Sequence, residues 1–302
     1  MFSVPRWLLA SLLLLPEFSL YTWWASVNFV RRGDYLSAVI VLVGLALLAR
    51  LLVALAGYGL SRYWGMALKP SQRLGAAAWL RFFAVEYGHL CIQNLLLTPF
   101  RYFFHTQSER GQGPTAGPVV LLQHGFVNNG AVWFFTARAL EADGYRVFAI
   151  DQPTFVSIEA MADHLAARVD AVLARTGATQ LTLVAHSMGG LIARAYLRRY
   201  GNARIERLIT MGSPHHGTLH AYLALGSNAR QMRPGNAWLT TLGETVVTVP
   251  FTSIYSLHDT IISPQDSSVM IEADNVALMA VGHVSMPSGA MARTALLAAL
   301  QK

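Results

Sequence analysis

The sequence predicts an α/β protein: a mostly parallel sheet with helices on both faces, preceded by an N-terminal pair of apolar helices. Three observations carry this. Beyond residue 118, short β-rich runs alternate with helical runs, the pattern of βαβ units. Before about residue 60, two apolar runs are each long enough to cross a hydrocarbon core of about 30 Å as helices. The 302 residues are 54% hydrophobic and only 13% charged, more apolar than an ordinary soluble domain.

The first apolar run extends from Trp7 through Trp23 and Trp24 to Phe29. Its first half could be the apolar region of a signal peptide, but no small-residue cleavage motif follows; Pro16, Glu17 and Phe18 come next, so an uncleaved helix is expected. The second run, Tyr35 to Leu60, follows the short link Arg31-Arg32-Gly33-Asp34, so residues 1–62 read as a transmembrane helical hairpin. Each helix holds one ionisable residue, Glu17 and Arg50, at similar distances from the link. A charge in lipid needs a partner, so an ion pair between them is one expectation; Arg50 reaching the interface alone is the other.

Residues 63–112 are expected to be an amphipathic, interfacial helical segment and linker. The stretch from Leu74 to Phe104 is apolar and aromatic but is interrupted by Arg81, Glu86, His89 and Arg101, too polar for a third span. It reads as a helix in the membrane interface, with a helix docked on the following domain as the alternative. Glu109 to Pro118, rich in Gly and Pro, reads as a linker, and residues 113–302 as a separate α/β domain.

Charge is divided along the same boundary. The net charge is +6 before residue 113 (ten basic, four acidic) and +1 after it (thirteen basic, twelve acidic). The excess lies among apolar runs, where it would face lipid headgroups, and is not gathered on a polar face as nucleic-acid binding requires. The bilayer is therefore the expected partner and nucleic acid is not. Arg6, Arg62, Lys69, Arg73 and Arg81 flank the hairpin's open side against Arg31 and Arg32 in the link. The positive-inside bias thus expects the domain to face the cytoplasm. The single cysteine, Cys91, excludes an intramolecular disulfide.

Within the domain, strands are expected at Val119 to Gln123, Tyr145 to Ile150, Gln180 to Ala185, Ile205 to Met211, Phe251 to Leu257 and Val276 to Val281. Helices are expected at Ala131 to Ala142, Ser157 to Thr176, Gly189 to Tyr200 and Pro287 to Leu300. His215 to Val249 breaks the rhythm; with Trp238, Leu239 and Leu242 it reads either as a small apolar lid or as a packed excursion.

One junction carries chemistry. Ala185-His186-Ser187-Met188-Gly189-Gly190 follows the strand LTLVA and opens the helix LIARAYLRRY, the context of a nucleophile elbow. A serine in so sharp a turn needs small neighbours, supplied by Ala185 and Gly189. The helix N-terminus beneath it favours developing negative charge. His124-Gly125-Phe126 ends the first strand, where a second donor would come from; the N–H groups of Phe126 and Met188 are the expected oxyanion hole. Serine needs a base and a group to orient it, and elbows of this type are followed by an acid and then a histidine. Asp259, just past FTSIYSL, and His283, just past NVALMAVG, stand in that order. Asp266 and Asp274 come later than the strand end. His258, His215, His216 and His186 are the rival bases, His186 being in the elbow and pointing elsewhere; His105, His164 and His220 read as surface or packing residues.

Together AHSMGG, HGF, MGSPHHGT at 211–218, HDTIISP and GHVSM resemble bacterial lipases and esterases of the α/β-hydrolase superfamily, including its minimal members without a large cap. The likeness covers about residues 118–300 and not the N-terminal helices. It implies an α/β-hydrolase fold, Ser187, Asp259 and His283 as nucleophile, acid and base, Phe126 and Met188 as oxyanion donors, and an ester or lipid substrate. No cofactor and no metal are expected. Ser285 stands where larger secreted relatives carry a calcium-site aspartate, and one cysteine cannot form their disulfide. An acyltransferase with the same triad, or a non-catalytic membrane scaffold, are the alternatives. With an Arg-rich, almost Lys-free composition, a bacterial inner membrane is the expected location.

Overall fold

The computed structural model describes residues 6–302; the first five residues of the expected hairpin lie outside them. Two long helices come first, α1 (Arg6–Asn28) and α2 (Tyr35–Trp64), joined by one 3-10 turn at Val30–Arg32. Gly33, at φ 77°, closes that turn, and the Asp34 side chain caps α2 by accepting from the Ser37 N–H at 3.1 Å. The helices lie side by side, and Arg50 pairs with Glu17 across them. Among the described residues, Tyr35–Trp64 is a helix long and apolar enough to cross a membrane.

Helix α3 (Ala76–Ile92) continues through a π-turn at Gln93–Leu97. It leans on α2 through Tyr58, whose ring meets Trp79 at 5.4 Å and Phe82 at 6.3 Å. The Tyr87 hydroxyl also donates to the Leu47 carbonyl at 2.9 Å. Its other side meets the domain: Glu86, Gln93 and His89 all bond to the segment 284–288. The helix is therefore packed against residues 284–288.

The stretch 109–118, expected as a linker, begins inside a short helix, α4 (Gln107–Arg110), that is fastened to the sheet. Thr106 Oγ1 donates to the Val147 carbonyl at 2.7 Å, while the N–H groups of Val147 and Ala149 donate to Ser108 Oγ and Glu109 Oε1 at 2.9 and 3.2 Å. These side chains occupy backbone groups on the outer edge of an edge strand, which would otherwise offer a template for pairing. Gly and Pro signal a change of direction, and here the chain turns against the sheet instead of hanging free.

The sheet has six parallel strands: β1 (Val119–Gln123), β2 (Arg146–Ile150), β3 (Leu181–His186), β4 (Ile205–Met211), β5 (Phe251–Ser256) and β6 (Asp274–Leu278), in the order β2-β1-β3-β4-β5-β6. Between them run α5 (Phe134–Ala142), α6 (Ile158–Thr176), α7 (Met188–Tyr200), α8 (Ser227–Gln231), α9 (Ala237–Gly243) and finally α10 (Ala290–Leu300). Both faces are covered, so strands such as VVLLQ are buried throughout. Leu121, Phe148 and Leu183 pack with α6 and α7 on one face; Val120, Leu122, Val184 and Ile209 pack with α5 and α10 on the other. This is the α/β-hydrolase fold. The chain leaves β1 for β2 on one side and returns to β3 on the other, so the gap beyond the ends of β1 and β3 is the topological switch point, where such sheets bind ligands.

In the irregular stretch 215–249, Leu239 and Leu242 on α9 are buried and Trp238 packs beside them. The Leu242 carbonyl also accepts from Arg194 of α7 at 3.1 Å. Leu239 and Leu242 belong to the core and Trp238 is partly buried against it, the packing of an ordinary excursion. The exposed large apolar residues of the stretch are Tyr222, Leu223, Leu225 and Val246.

Candidate active site

Ser187 sits between β3 and α7 with φ 58° and ψ −132°, a conformation that costs a non-glycine residue on the order of 1–3 kcal/mol. What holds it is contact on every side. Its N–H donates to the Met211 carbonyl at 2.9 Å. A Cβ on Gly189 would come within 2.8 Å of the His124 carbonyl oxygen and 2.9 Å of that of Gln123. The elbow thus needs glycine at 189 because the end of β1 presses against it. Gly125 is as tightly placed: a Cβ there would lie 2.6 Å from Ser187 Cβ and 3.1 Å from its Oγ. The backbone leading into Phe126 therefore abuts Ser187. Met188, as the first residue of α7, carries an N–H that no intrahelical carbonyl can take up.

The β1 loop is held by His124. Its Nε2 accepts from the Gln152 N–H at 2.9 Å, so the proton is on Nδ1, which donates to the Gly125 carbonyl at 2.8 Å. Burial holds its pKa below the ordinary imidazole value, against the nearby charge of Asp151. A neutral, fixed tautomer is what a structural strut requires.

His283 and Asp259 meet beyond the ends of β6 and β5. His283 Nδ1 lies 2.9 Å from Asp259 Oδ2, and both residues are buried. The other oxygen, Oδ1, accepts from the N–H groups of Ile261 and Ile262 at 2.8 and 2.7 Å. The carboxylate is thereby aimed, and Nε2 is the ring nitrogen that Asp259 does not engage. Burial alone would lower the His283 pKa, but the charge of Asp259, its hydrogen bond and the charge of Glu86 outweigh this and raise it above the ordinary value.

The His283 ring rests 4.6 Å from that of His186, the residue before Ser187, which brings the pair to the elbow. His186 does not point away from this group: its Nε2 lies 3.1 Å from the His283 carbonyl oxygen and supports that residue from below. Burial and the proximity of His283 hold the His186 pKa well below the usual range. Of the other candidates, Asp266 and Asp274 are exposed. His215 is buried against Thr210, His216 bonds to the Val269 carbonyl, and His258 accepts from the Ala280 N–H.

Several residues around this pair were not legible from motifs. Thr260 Oγ1 accepts from the His283 N–H at 3.3 Å, and its hydroxyl donates to Glu86 Oε1 at 2.8 Å. Gln265 takes the Met66 N–H at 2.9 Å and donates to the Asp259 carbonyl at 3.1 Å, tying the chain just after α2 to the acid. His220, half-buried, has the edge of Trp64 5.2 Å from its ring and feels both Asp259 and His283. Burial lowers its pKa, and its contact with Trp64 makes it the packing residue that was one of the two readings. The one available signal for Glu86 was a lone carboxylate in an apolar helix. Among the described residues, no group of three or more His, Cys, Asp or Glu side chains is placed to hold a metal ion.

A strained serine at a helix N-terminus, next to a histidine whose ring meets that of a carboxylate-held imidazole, has the makings of a nucleophilic site. Residues 118–240 match the sequence profile of the α/β hydrolase fold family. The chain is 33% identical over 113 residues to a triacylglycerol lipase from Pseudarthrobacter phenanthrenivorans, covering 34% of this chain and 35% of that protein. It is equally similar to a triacylglycerol lipase from Burkholderia plantarii, with 34% and 31% covered. The chain thus spans about a third of the length of these relatives. In three dimensions it resembles the mature lipase BlEst2 from Bacillus licheniformis, with a TM-score of 0.56 and 17% identity over 61% of this chain and 92% of that one.

Proposed function

We propose that the chain is a membrane-anchored serine hydrolase that cleaves carboxylic esters of lipids through an acyl-enzyme on Ser187. The observation that carries this is the strained Ser187 at the switch point, with His283 oriented by Asp259 against the same elbow. In this reading His283 takes the Ser187 proton as Oγ attacks the ester carbonyl, and Asp259 stabilises the imidazolium that forms. The N–H groups of Phe126 and Met188 receive the oxyanion, and loss of one such donor costs on the order of 3 kcal/mol. His283 returns the proton to the departing alcohol, and water, activated the same way, releases the acid.

Lipid as the substrate class follows from the helices beside the site. Leu36, Ile40 and Val53 of α2 are each 60% or more exposed, an apolar surface that suits a bilayer and not water. The far end of the same helix reaches the site through Gly57, Trp64 and the neighbouring Met66. The relatives named above as triacylglycerol lipases act in the same direction. Residues 113–302 form the catalytic domain in this reading, on the cytoplasmic face of the membrane.

Hydrolysis of p-nitrophenyl esters of short and long acyl chains, by the full chain in detergent beside Ser187→Ala, tests the reading. Activity that vanishes in the variant and rises with chain length is expected. Equal inertness of both proteins at every chain length would rule the reading out.

A further inference from the structure

We infer that Glu86, on helix α3 outside the matched hydrolase region, is a positioning residue for the loop that carries His283, so that the N-terminal helical segment supplies part of the active-site framework. This rests on the reading of Ser187, Asp259 and His283 as the reacting group.

The geometry is specific. Glu86 is 5% exposed and both its oxygens are engaged by hydrogen-bond donors. Oε1 accepts from the Val284 N–H and from Thr260 Oγ1, each at 2.8 Å, and Oε2 accepts from the Ser285 N–H at 2.9 Å. Three donors and no acceptor around a buried carboxyl describe the ionised form. Val284 and Ser285 directly follow the base, and Thr260 directly follows the acid, so one side chain clasps both loops. Thr260 extends the clasp to the His283 N–H. On the other side of the base, Gly282 has no room for a side chain, because a Cβ there would collide with the Glu86 carboxyl group. Gln93, two turns on, donates to the Val284 carbonyl at 2.6 Å, and His89 meets Ser288 at 2.9 Å. A loop that leaves the edge strand β6 has few sheet contacts of its own, and α3 supplies what it lacks.

Four groups face His283: Asp259 from the loop after β5, Glu86 from α3, His186 from the end of β3 and His220 from the 3-10 turn at Leu219–Tyr222. Burial keeps the two histidines on the neutral side. The two carboxylates therefore provide the charge that favours the imidazolium.

The test compares wild type with Glu86→Gln, as full chain in detergent, by two readouts. The first is the His283 titration followed by nitrogen-15 NMR of histidine-labelled protein, assigned with His283→Gln. The second is ester hydrolysis resolved into kcat and KM. The inference expects the midpoint to fall in Glu86→Gln and kcat to drop on the order of 10–100-fold with KM within about twofold, the effect of misplacing a catalytic group by about 1 Å. Unchanged midpoint and kcat in a folded Glu86→Gln overturn it. If that variant does not fold, Gly282→Ala, which drives the carboxyl group off the loop, must reproduce the kcat loss; wild-type kcat there also overturns the inference. A shifted midpoint in a protein inert toward every ester would uphold the Glu86 assignment and reject the hydrolase reading instead.

Discussion

Asp259 Oδ2 and His283 Nδ1 are 2.9 Å apart in a buried contact, and the remaining oxygen of Asp259 is fixed by two backbone N–H groups. The imidazole therefore has one orientation and one tautomer. Because its pKa is raised, the base becomes protonated, and so inactive, at a higher pH than a free imidazole would. The acidic limb of kcat/KM is expected above 6.5, the ordinary value. Asp259→Asn should move that limb downward and lower kcat by about 10⁴-fold, as happens when an orienting carboxylate becomes an amide. A pH–rate profile of both proteins decides; an unmoved limb would contradict the pairing.

Ser187 is held at φ 58° by its neighbours, not by preference. Ser187→Gly removes the side chain that suffers there, so the variant should lose all esterase activity yet unfold with about 1 kcal/mol more stability than wild type. Urea unfolding in detergent measures this. Equal or lower stability would mean the elbow carries no strain.

Gly125 has no room for a methyl group, since the nearest atom to an added Cβ is that of Ser187. Gly125→Ala should displace the Phe126 N–H and lower kcat by about 10²–10³-fold, the usual effect of losing an oxyanion donor. Reaction with a serine-directed phosphonate should slow in parallel. Wild-type kinetics in this variant would remove Phe126 from the oxyanion hole.

Arg50 is almost fully buried and has Glu17 as its ionic partner. Glu17→Gln leaves that charge without its counter-ion, which costs more than the pair itself contributes. Thermal unfolding in detergent should fall for Glu17→Gln and recover in the double replacement Glu17→Leu with Arg50→Leu. A double variant less stable than the single one would show that the pair stabilises outright.

Burial lowers the pKa values of His89, His124, His186, His215, His220 and His258, whereas His283 is raised. Groups depressed in the folded state take up protons only on unfolding, so their contribution to stability falls as pH drops below the unfolded value of about 6.5. His283 opposes this, its contribution being full below that pH and lost as pH rises through its folded value. With six such histidines against one, Tm is expected to decline from pH 7 to pH 5. A flat or rising Tm over that window would show that these histidines are accessible to protons in the folded protein.

Much of the fold is local in origin and was legible. The runs Val119–Gln123 and Ile205–Met211 coincide with β1 and β4, because apolar stretches bounded by turn residues suit a sheet covered on both faces. Ser157, Gly177 and the intervening periodicity mark α6 at both ends, a cap hydroxyl and a left-handed glycine. Ser187 was readable because a strand, a small-residue turn and a helix must follow one another in sequence. Asp259 and His283 followed from their places after strands.

Other features depend on contacts between segments far apart in the chain, and no periodicity encodes them. Glu86 bonds to Ser285, Gln265 joins Met66 to Asp259, and His186 carries the His283 carbonyl. In the sequence Glu86 is only an acid in an apolar helix, and Trp238, Leu239 and Leu242 are apolar residues that could line a lid as well as a core. Hydrophobic pattern says which side chains leave water, not which neighbours they meet. The sequence by itself determined the elbow and five of the six strands to within a residue, since each is set by local backbone geometry, whereas β6, expected at Val276 to Val281, lies at Asp274–Leu278. Only the tertiary structure decided that α3 and the chain just after α2 brace the loops carrying Asp259 and His283, because a buried carboxylate takes whichever donors the folded chain brings within about 3 Å.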